Sequence, residues 1–282
     1  MDGPHNPDQV EAVLAALHRG ALEVVGRISE SSNVALLVEV ADADDVAAAT
    51  GGPVYGIYKP VRGERPLWDF PDGTLAGREV ATFEVSRAGG WDVVPPTVLR
   101  DGPLGEGSVQ LWIGDPFGLE PDPRPVDVCA PRRVPQGWLS VVDGELEGGR
   151  AVSIVHEDKD DVRDVAVLDA VVNNADRKGS HLIRDPAGRL WGYDHGLTFS
   201  PEPKLRTVLW GWAGEPLRDI DVDRLGRLQG MLDGESELMA QMVALLPAVD
   251  VTALVRRIRM MLRTGRHPSP RGGWPAIPWP AL

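Results

Sequence analysis

The segment Asn173-Asn174-Ala175-Asp176-Arg177-Lys178-Gly179-Ser180-His181, followed by Asp194-His195-Gly196, organises the second half of the chain. Between the two lie a pair of β-prone runs, His181–Arg184 and Arg189–Tyr193, flanking Asp185-Pro186-Ala187-Gly188, which has good turn chemistry. His181 and Asp194 are about equally far from the turn and so meet at the open end of one hairpin, where cross-strand partners lie ~4.5–5.5 Å apart at Cα. Asp176 precedes His181 in the loop that leads to the same end. Two carboxylates, an imidazole and Lys178 therefore converge on one edge. An acid to orient a hydroxyl and an acid to hold a metal are what phosphoryl transfer requires. Taken singly, each Asp reads as a turn residue and Lys178 as a solvated charge. Their joint placement behind a buried helix favours a shared site.

That helix starts at Asp160, with Val162, Val165, Ala166, Leu168 and Val172 on its buried side, and ends near Asn173-Asn174. Upstream, Asp8 to Arg19 has the apolar spacing of an amphipathic helix. Ala21–Ile28 and Val34–Val40 read as a hairpin whose tip is Ser29-Glu30-Ser31-Ser32-Asn33, and Val54–Tyr58 as a short strand that Pro60 should end. Arg62 to Asp72 suits an exposed loop. Thr74 is placed to cap a helix running to about Ala88, with Ala76, Val80 and Phe83 on one face and Glu79 beside it. Val93–Leu99 and Ser108–Ile113 then read as strands joined by Arg100-Asp101-Gly102-Pro103. Proline and glycine crowd 114–135, a plausible connection between two lobes. Helical patterns occupy Asp219 to Arg263, and the Pro- and Trp-rich tail from His267 to Leu282 reads as irregular.

Composition narrows the function. Lys and Arg number 29 against 42 Asp and Glu, a formal charge of −13, and no dense basic run offers a nucleic-acid surface. Cys129 is the single cysteine, which excludes an internal disulfide and a cysteine-built metal site. No stretch approaches the ~18 apolar residues of a membrane helix, and the N-terminus lacks the pattern of a signal peptide. The expectation is a cytoplasmic protein without a stable membrane anchor. Lysine is scarce, with only Lys59, Lys159, Lys178 and Lys204.

A family resemblance rests on these residues. Val167-Leu168-Asp169-Ala170-Val171-Val172-Asn173-Asn174-Ala175-Asp176-Arg177, then Leu182-Ile183, then Tyr193-Asp194-His195-Gly196-Leu197-Thr198-Phe199, resembles the type II phosphatidylinositol 4-kinases. It is also similar to the wider phosphatidylinositol 3-/4-kinase group and, more distantly, to HipA-type bacterial kinases; the chain would be a soluble, bacterial-type member. The resemblance implies an α+β, two-lobed protein-kinase-like fold, with a β-rich N-terminal lobe over 1–113, a connection over 114–135 and a mainly helical C-terminal lobe over 136–282. It implies that Asp176 is the catalytic acid and Asp194 a ligand of the nucleotide's metal. The second metal ligand of the family, an Asn five residues after the catalytic Asp, is here His181, a softer donor that suits Mn²⁺ or Zn²⁺ better than Mg²⁺. Ile57-Tyr58-Lys59-Pro60 and Arg78-Glu79 resemble the family's nucleotide-binding lysine and the helix glutamate that holds it.

The same resemblance places Ser31 and Ser32 in the phosphate-covering loop, although this loop lacks glycine. It sets Gln110, Leu111, Trp112 and Ile113 along the adenine edge and gives Lys178 a charge-neutralising role beside Asp176. The expected activity is transfer of the γ-phosphoryl group of ATP, with Mg²⁺ or Mn²⁺, to a hydroxyl on an inositol, a lipid headgroup or a protein. A nucleotide-binding pseudokinase scaffold and a protein or self-phosphorylating kinase on Ser or Thr are the alternatives. Trp210-Gly211-Trp212 resembles an aromatic stretch of the lipid kinases, with core packing as the commoner explanation. His156, beside an acidic run from Glu157 to Asp161, reads as part of a solvated loop.

Overall fold

The computed structural model describes residues 3–4, 6–28, 33–41, 43, 46, 52–64, 70, 75–118, 124–146, 148–272 and 275–282. Helix α1 (Pro7–Arg19) begins where the Asn6 side chain accepts the Gln9 amide at 2.9 Å, and it buries Val13, Leu14 and Leu17. Five strands follow in one antiparallel sheet: β1 (Leu22–Arg27), β2 (Leu36–Val40), β3 (Tyr55–Pro60), β4 (Thr97–Gly102) and β5 (Gly105–Leu111), in spatial order β1-β2-β3-β5-β4. Period-two alternation turns Tyr58 into the core and leaves Tyr55, Ile57 and Lys59 on the half-buried face of β3. Pro60 is the last residue of its strand, opposite Gly107. The hairpin tip expected to carry Ser31 and Ser32, and the cap expected at Thr74, lie outside the described residues.

The β4–β5 hairpin is displaced from its expected place. Pro95 and Pro96, which have no N–H to donate, start the strand at Thr97 rather than Val93, and pairing continues past Arg100 to Gly102 opposite Gly105. Pro103 and Leu104 form the tip, closed by Gly105 at φ +97°.

Helix α2 (Leu75–Gly89) packs on β4 and β5. It is buried on nearly every side, Arg78 and Glu79 included, rather than along the single expected face. The reason lies opposite the sheet, where α5 (Glu237–Leu245) covers it. The contact is close at Gly77, where a Cβ would come within 2.8 Å of the Leu245 carbonyl oxygen.

A second antiparallel sheet occupies residues expected to form the connection and the helical part beyond it. It contains β6 (Val126–Cys129), β7 (Trp138–Leu146) and β8 (Arg150–Glu157), in order β6-β8-β7. Part of 114–135 is thus a strand paired with residues 153–156. His156 is not in a solvated loop: it is fully buried in β8, its Nδ1 2.9 Å from the Glu157 carbonyl oxygen. Glu157 is buried too and accepts from Arg184 at 2.6 Å.

Helix α3 (Asp160–Val172) is sealed on its apolar side as expected and ends at Asn173 in the left-handed conformation. The short hairpin β9 (Leu182–Arg184) and β10 (Leu190–Gly192) follows, with Leu182 opposite Gly192. Then come α4 (Asp219–Leu232), α5 and α6 (Ala248–Thr264), which meet through Leu225, Leu228, Met242, Leu254 and Ile258. One continuous apolar cluster runs from Val38 and Leu111 through Val85 to Leu168 and Ile258, so sheet and helices share a core. The fold is mixed α/β with antiparallel sheets. Among the described residues no helix is long and apolar enough to cross a membrane.

The tail docks through His267, whose Nε2 accepts from Arg163 Nε at 3.1 Å. Burial, helped by Arg163, lowers its pKa from 6.5 to about 4. The folded state therefore resists a proton that the unfolded chain takes up: stability is complete above the unfolded value and is lost as pH falls from 6.5 toward 4. Between pH 7 and pH 5 this residue should remove about 2 kcal/mol. Urea midpoints at the two pH values should differ less in His267→Gln than in the parent chain.

Candidate active site

The strand period delivers Lys59 to the edge where α2 presents Glu79. The ammonium lies 2.5 Å from Glu79 Oε1 and 2.8 Å from Asp194 Oδ1, so one lysine bridges two carboxylates from distant parts of the chain. Burial disfavours its charge, but Asp194 and Glu79 outweigh this and hold its pKa above the ordinary lysine value. The Lys59 charge in turn holds the Asp194 carboxyl well below the usual carboxylate range. Glu79 also fixes the backbone of the Asp194 loop, accepting the His195 amide on Oε2 at 2.9 Å. Asp194 itself has φ +58°, a left-handed conformation uncommon outside glycine, and its side chain is half exposed.

At the open end of the hairpin the Tyr193 amide donates to the His181 carbonyl at 2.8 Å, continuing the β9–β10 pairing by one step. His181 Nε2 then stands 3.5 Å from Asp194 Oδ2. Burial lowers the His181 pKa to about 4, so the ring is neutral near pH 7; the Lys178 amide donates to Nδ1 at 3.5 Å, and Nε2 facing Asp194 becomes a ligand only in the other tautomer. Two ligands at right angles on one ion, each about 2.1 Å away, are about 3 Å apart. The pair fits a shared divalent cation after a small approach. Among the described residues no group of three or more His, Cys, Asp or Glu side chains could hold a metal. An ion here would take its other ligands from water or a bound ligand.

Asp176 is positioned by a different set of bonds. Its amide donates to Asn174 Oδ1 at 3.0 Å, and its carboxylate meets Lys178 Nζ at 2.9 Å. Burial raises its pKa, with Lys178 partly offsetting this and the Asp194 charge adding to it. The loop is stitched to the chain beyond Asp194: Ala175 donates to the Leu197 carbonyl, Arg177 to that of Arg206, and Arg206 to that of Asn174.

Beneath the loop sits a polar knot that the sequence reading did not single out. Arg177 and Asp169 are both fully buried and joined by two bonds, Nε to Oδ2 at 2.9 Å and Nη2 to Oδ1 at 3.0 Å. Arg177 also donates to the Tyr193 carbonyl at 2.7 Å, and its Nη2 lies 2.7 Å from His195 Nε2. Burial, and then Arg177, hold His195 neutral, so its Nε2 is the acceptor. One guanidinium therefore ties the Asp176 loop to both sides of Asp194. The available signal was an acid, Asp169, in the middle of the apolar run of α3.

No family model matches the chain. Protein Rv2133c of Mycobacterium tuberculosis is 43% identical over 283 residues, covering 98% of this chain and 96% of that protein. The chain belongs to the Rv2133c family. The match runs nearly end to end and so spans the sheets, the helices and every residue of the site.

Within this Rv2133c family member, the segment expected to face adenine is engaged internally. The amides of Leu111, Trp112 and Ile113 donate to the Pro96 carbonyl, the Tyr55 carbonyl and the Tyr193 hydroxyl, at 2.9, 2.9 and 2.8 Å. The Gln110 side chain is buried against Thr97, its Nε2 2.8 Å from Oγ1. Tyr193 is the residue here that sequence reasoning missed. Trp210 and Trp212 are buried, donating to the Ala276 carbonyl and to Asp158, as core packing requires.

Proposed function

We propose that the chain is an ATP-dependent phosphotransferase of the phosphatidylinositol 3-/4-kinase-like type, with two lobes meeting near residue 114 and the nucleotide between them. The single observation that supports this best is Lys59 held between Glu79 and Asp194. A fixed ammonium beside an acid that stays ionised is the arrangement that receives a triphosphate and its metal.

In this reading Lys59 meets phosphate oxygens while Glu79 keeps it in place. Asp194 and His181 would hold the divalent ion, which supplies charge neutralisation on the phosphates when bound. Asp176 orients the acceptor hydroxyl and takes its proton as the new O–P bond forms and the bond from the γ-phosphorus to the bridging oxygen breaks. Lys178 offsets the charge around Asp176. The Ile113 amide becomes available to a purine nitrogen once the Tyr193 hydroxyl turns aside. The acceptor is a hydroxyl of an inositol, a lipid headgroup or a protein.

Lys59→Met should weaken ATP binding at least about tenfold, because a desolvated charge-assisted contact is lost. Isothermal titration with ATP and Mn²⁺ or Mg²⁺ checks this, with ADP release followed in parallel. A parent chain that neither binds ATP nor releases ADP with either metal sinks the proposal. Tight binding without ADP release would instead favour a nucleotide-binding scaffold, a reading for which His181 in a metal-ligand position is the motive. Phosphate appearing on the chain's own Ser or Thr would mark a self-phosphorylating enzyme.

A further inference from the structure

Beside the Asp176 loop, α3, α6 and residues 201–210, with Pro268, Ser269, Arg271 and Ala276, line an open cavity of about 360 Å³. This size falls within the range of small-molecule sites, roughly 300–1,000 Å³. Leu205, Trp210 and Met260 give it an apolar wall, and the charged residues lining it are Arg256, Arg257 and Arg271. No acid is among its lining residues, although the chain as a whole carries a charge of −13. Glu202, between two lining prolines, is 65% exposed and pairs with Lys204 instead.

Arg257 has an unmet requirement. Its Nε donates to the Val171 carbonyl at 2.9 Å and its Nη1 to the Ser200 carbonyl at 3.1 Å. Its Nη2 is buried and has no hydrogen-bond partner. Burial disfavours its charge, and Arg256 adds to that, with Asp250 only partly compensating. A buried donor on a charged group is costly to leave unpaired. Arg256 and Arg271 are exposed, at the cavity's solvent side.

We propose that this cavity binds a small amphiphilic carboxylate, whose anionic head meets the cluster of Arg256, Arg257 and Arg271 and whose hydrocarbon body lies along Leu205, Trp210 and Met260. The three lining arginines select an anion, and the wall selects an apolar body. The site also touches the segment that sets Asp176. The Ser200 carbonyl that accepts from Arg257 also accepts from Asn173 Nδ2 at 2.9 Å, and Asn173 closes α3 immediately before Asn174 and its bond to the Asp176 amide. A ligand that draws on Arg257 alters the constraint on that loop.

The test uses the full chain and decanoate, kept below its micelle concentration, in isothermal titration, with 1-decanol and inorganic phosphate as controls. Decanoate should bind one to one, about tenfold or more tightly than either control, since a hydrogen bond to a charged partner contributes that much. Ala276→Phe, which fills the cavity without removing a hydrogen bond, should abolish binding, and Arg257→Lys should weaken it severalfold. Equal binding of decanoate and decanol would overturn the role of Arg257. Phosphate binding as well as decanoate would overturn the apolar body, and binding unaffected by Ala276→Phe would overturn the site. None of these readouts depends on phosphotransfer, so this inference and the proposed function stand or fall separately.

Discussion

Asp169→Ala is expected to destabilise the protein by about 3–5 kcal/mol, the range for breaking a buried ion pair by removing one partner. Asp169 and Arg177 are both fully buried. The carboxylate accepts two bonds from Arg177 and a third from Asn174 Nδ2 at 2.9 Å. Without it the guanidinium keeps only neutral acceptors, the Tyr193 carbonyl and His195. The unpaired charge, rather than the lost contact, dominates the cost. Urea unfolding measures it directly. The paired replacement Asp169→Leu with Arg177→Met should recover much of the loss, because an apolar pair of similar volume removes the buried charge altogether. A loss below about 1 kcal/mol for Asp169→Ala would show that Arg177 finds other compensation, contrary to the geometry.

The ion pair illustrates what the sequence made legible and what it hid. The buried helix α3, the hairpin carrying His181 and Asp194, and the strand-then-helix order behind Lys59 and Glu79 are local patterns. Each depends on periodicity or turn chemistry within ten or so residues. The meeting of Lys59 with Asp194, across 135 positions, followed from the resemblance rather than from any local pattern. What escaped were features whose cause is tertiary. Glu79 and Arg78 are charged, and charged residues on a helix usually read as a solvated face. Here Arg78 is buried because Asp250 on α6 and the Thr198 carbonyl both receive it, at 2.7 and 2.5 Å. The three-stranded sheet is a different kind of miss. Its strands alternate visibly at Ala151 to His156, but the proline-rich segment before them and the acidic run after them drew the reading toward loops. Tyr193 was passed over because its role is set by a strand end 80 residues away, at Ile113.

On the phosphotransfer reading, Asp176→Ala should lower turnover by about 10²–10⁴-fold, the usual contribution of a positioned acid or base, while leaving ATP affinity close to that of the parent. The two effects separate because Asp176 and Lys59 serve different parts of the reaction. Asp176 faces Lys178 at 2.9 Å, whereas the nucleotide's expected contacts are Lys59 and Asp194. Stability should change little, since burial disfavours the Asp176 charge and offsets much of what its pair with Lys178 contributes. Asp176→Asn sharpens the test by keeping the size and one oxygen while removing the ability to take a proton. If proton acceptance matters most, Asn should be nearly as impaired as Ala; if orientation of the hydroxyl matters most, Asn should retain a measurable share. Burial raises the Asp176 pKa, so the parent's rate should fall on acidification at a higher pH than for an ordinary carboxylate, and that limb should vanish from the residual activity of Asp176→Asn. Unchanged ADP release in both variants would remove Asp176 from the chemistry and leave Lys178 as a charge with no carboxylate to serve.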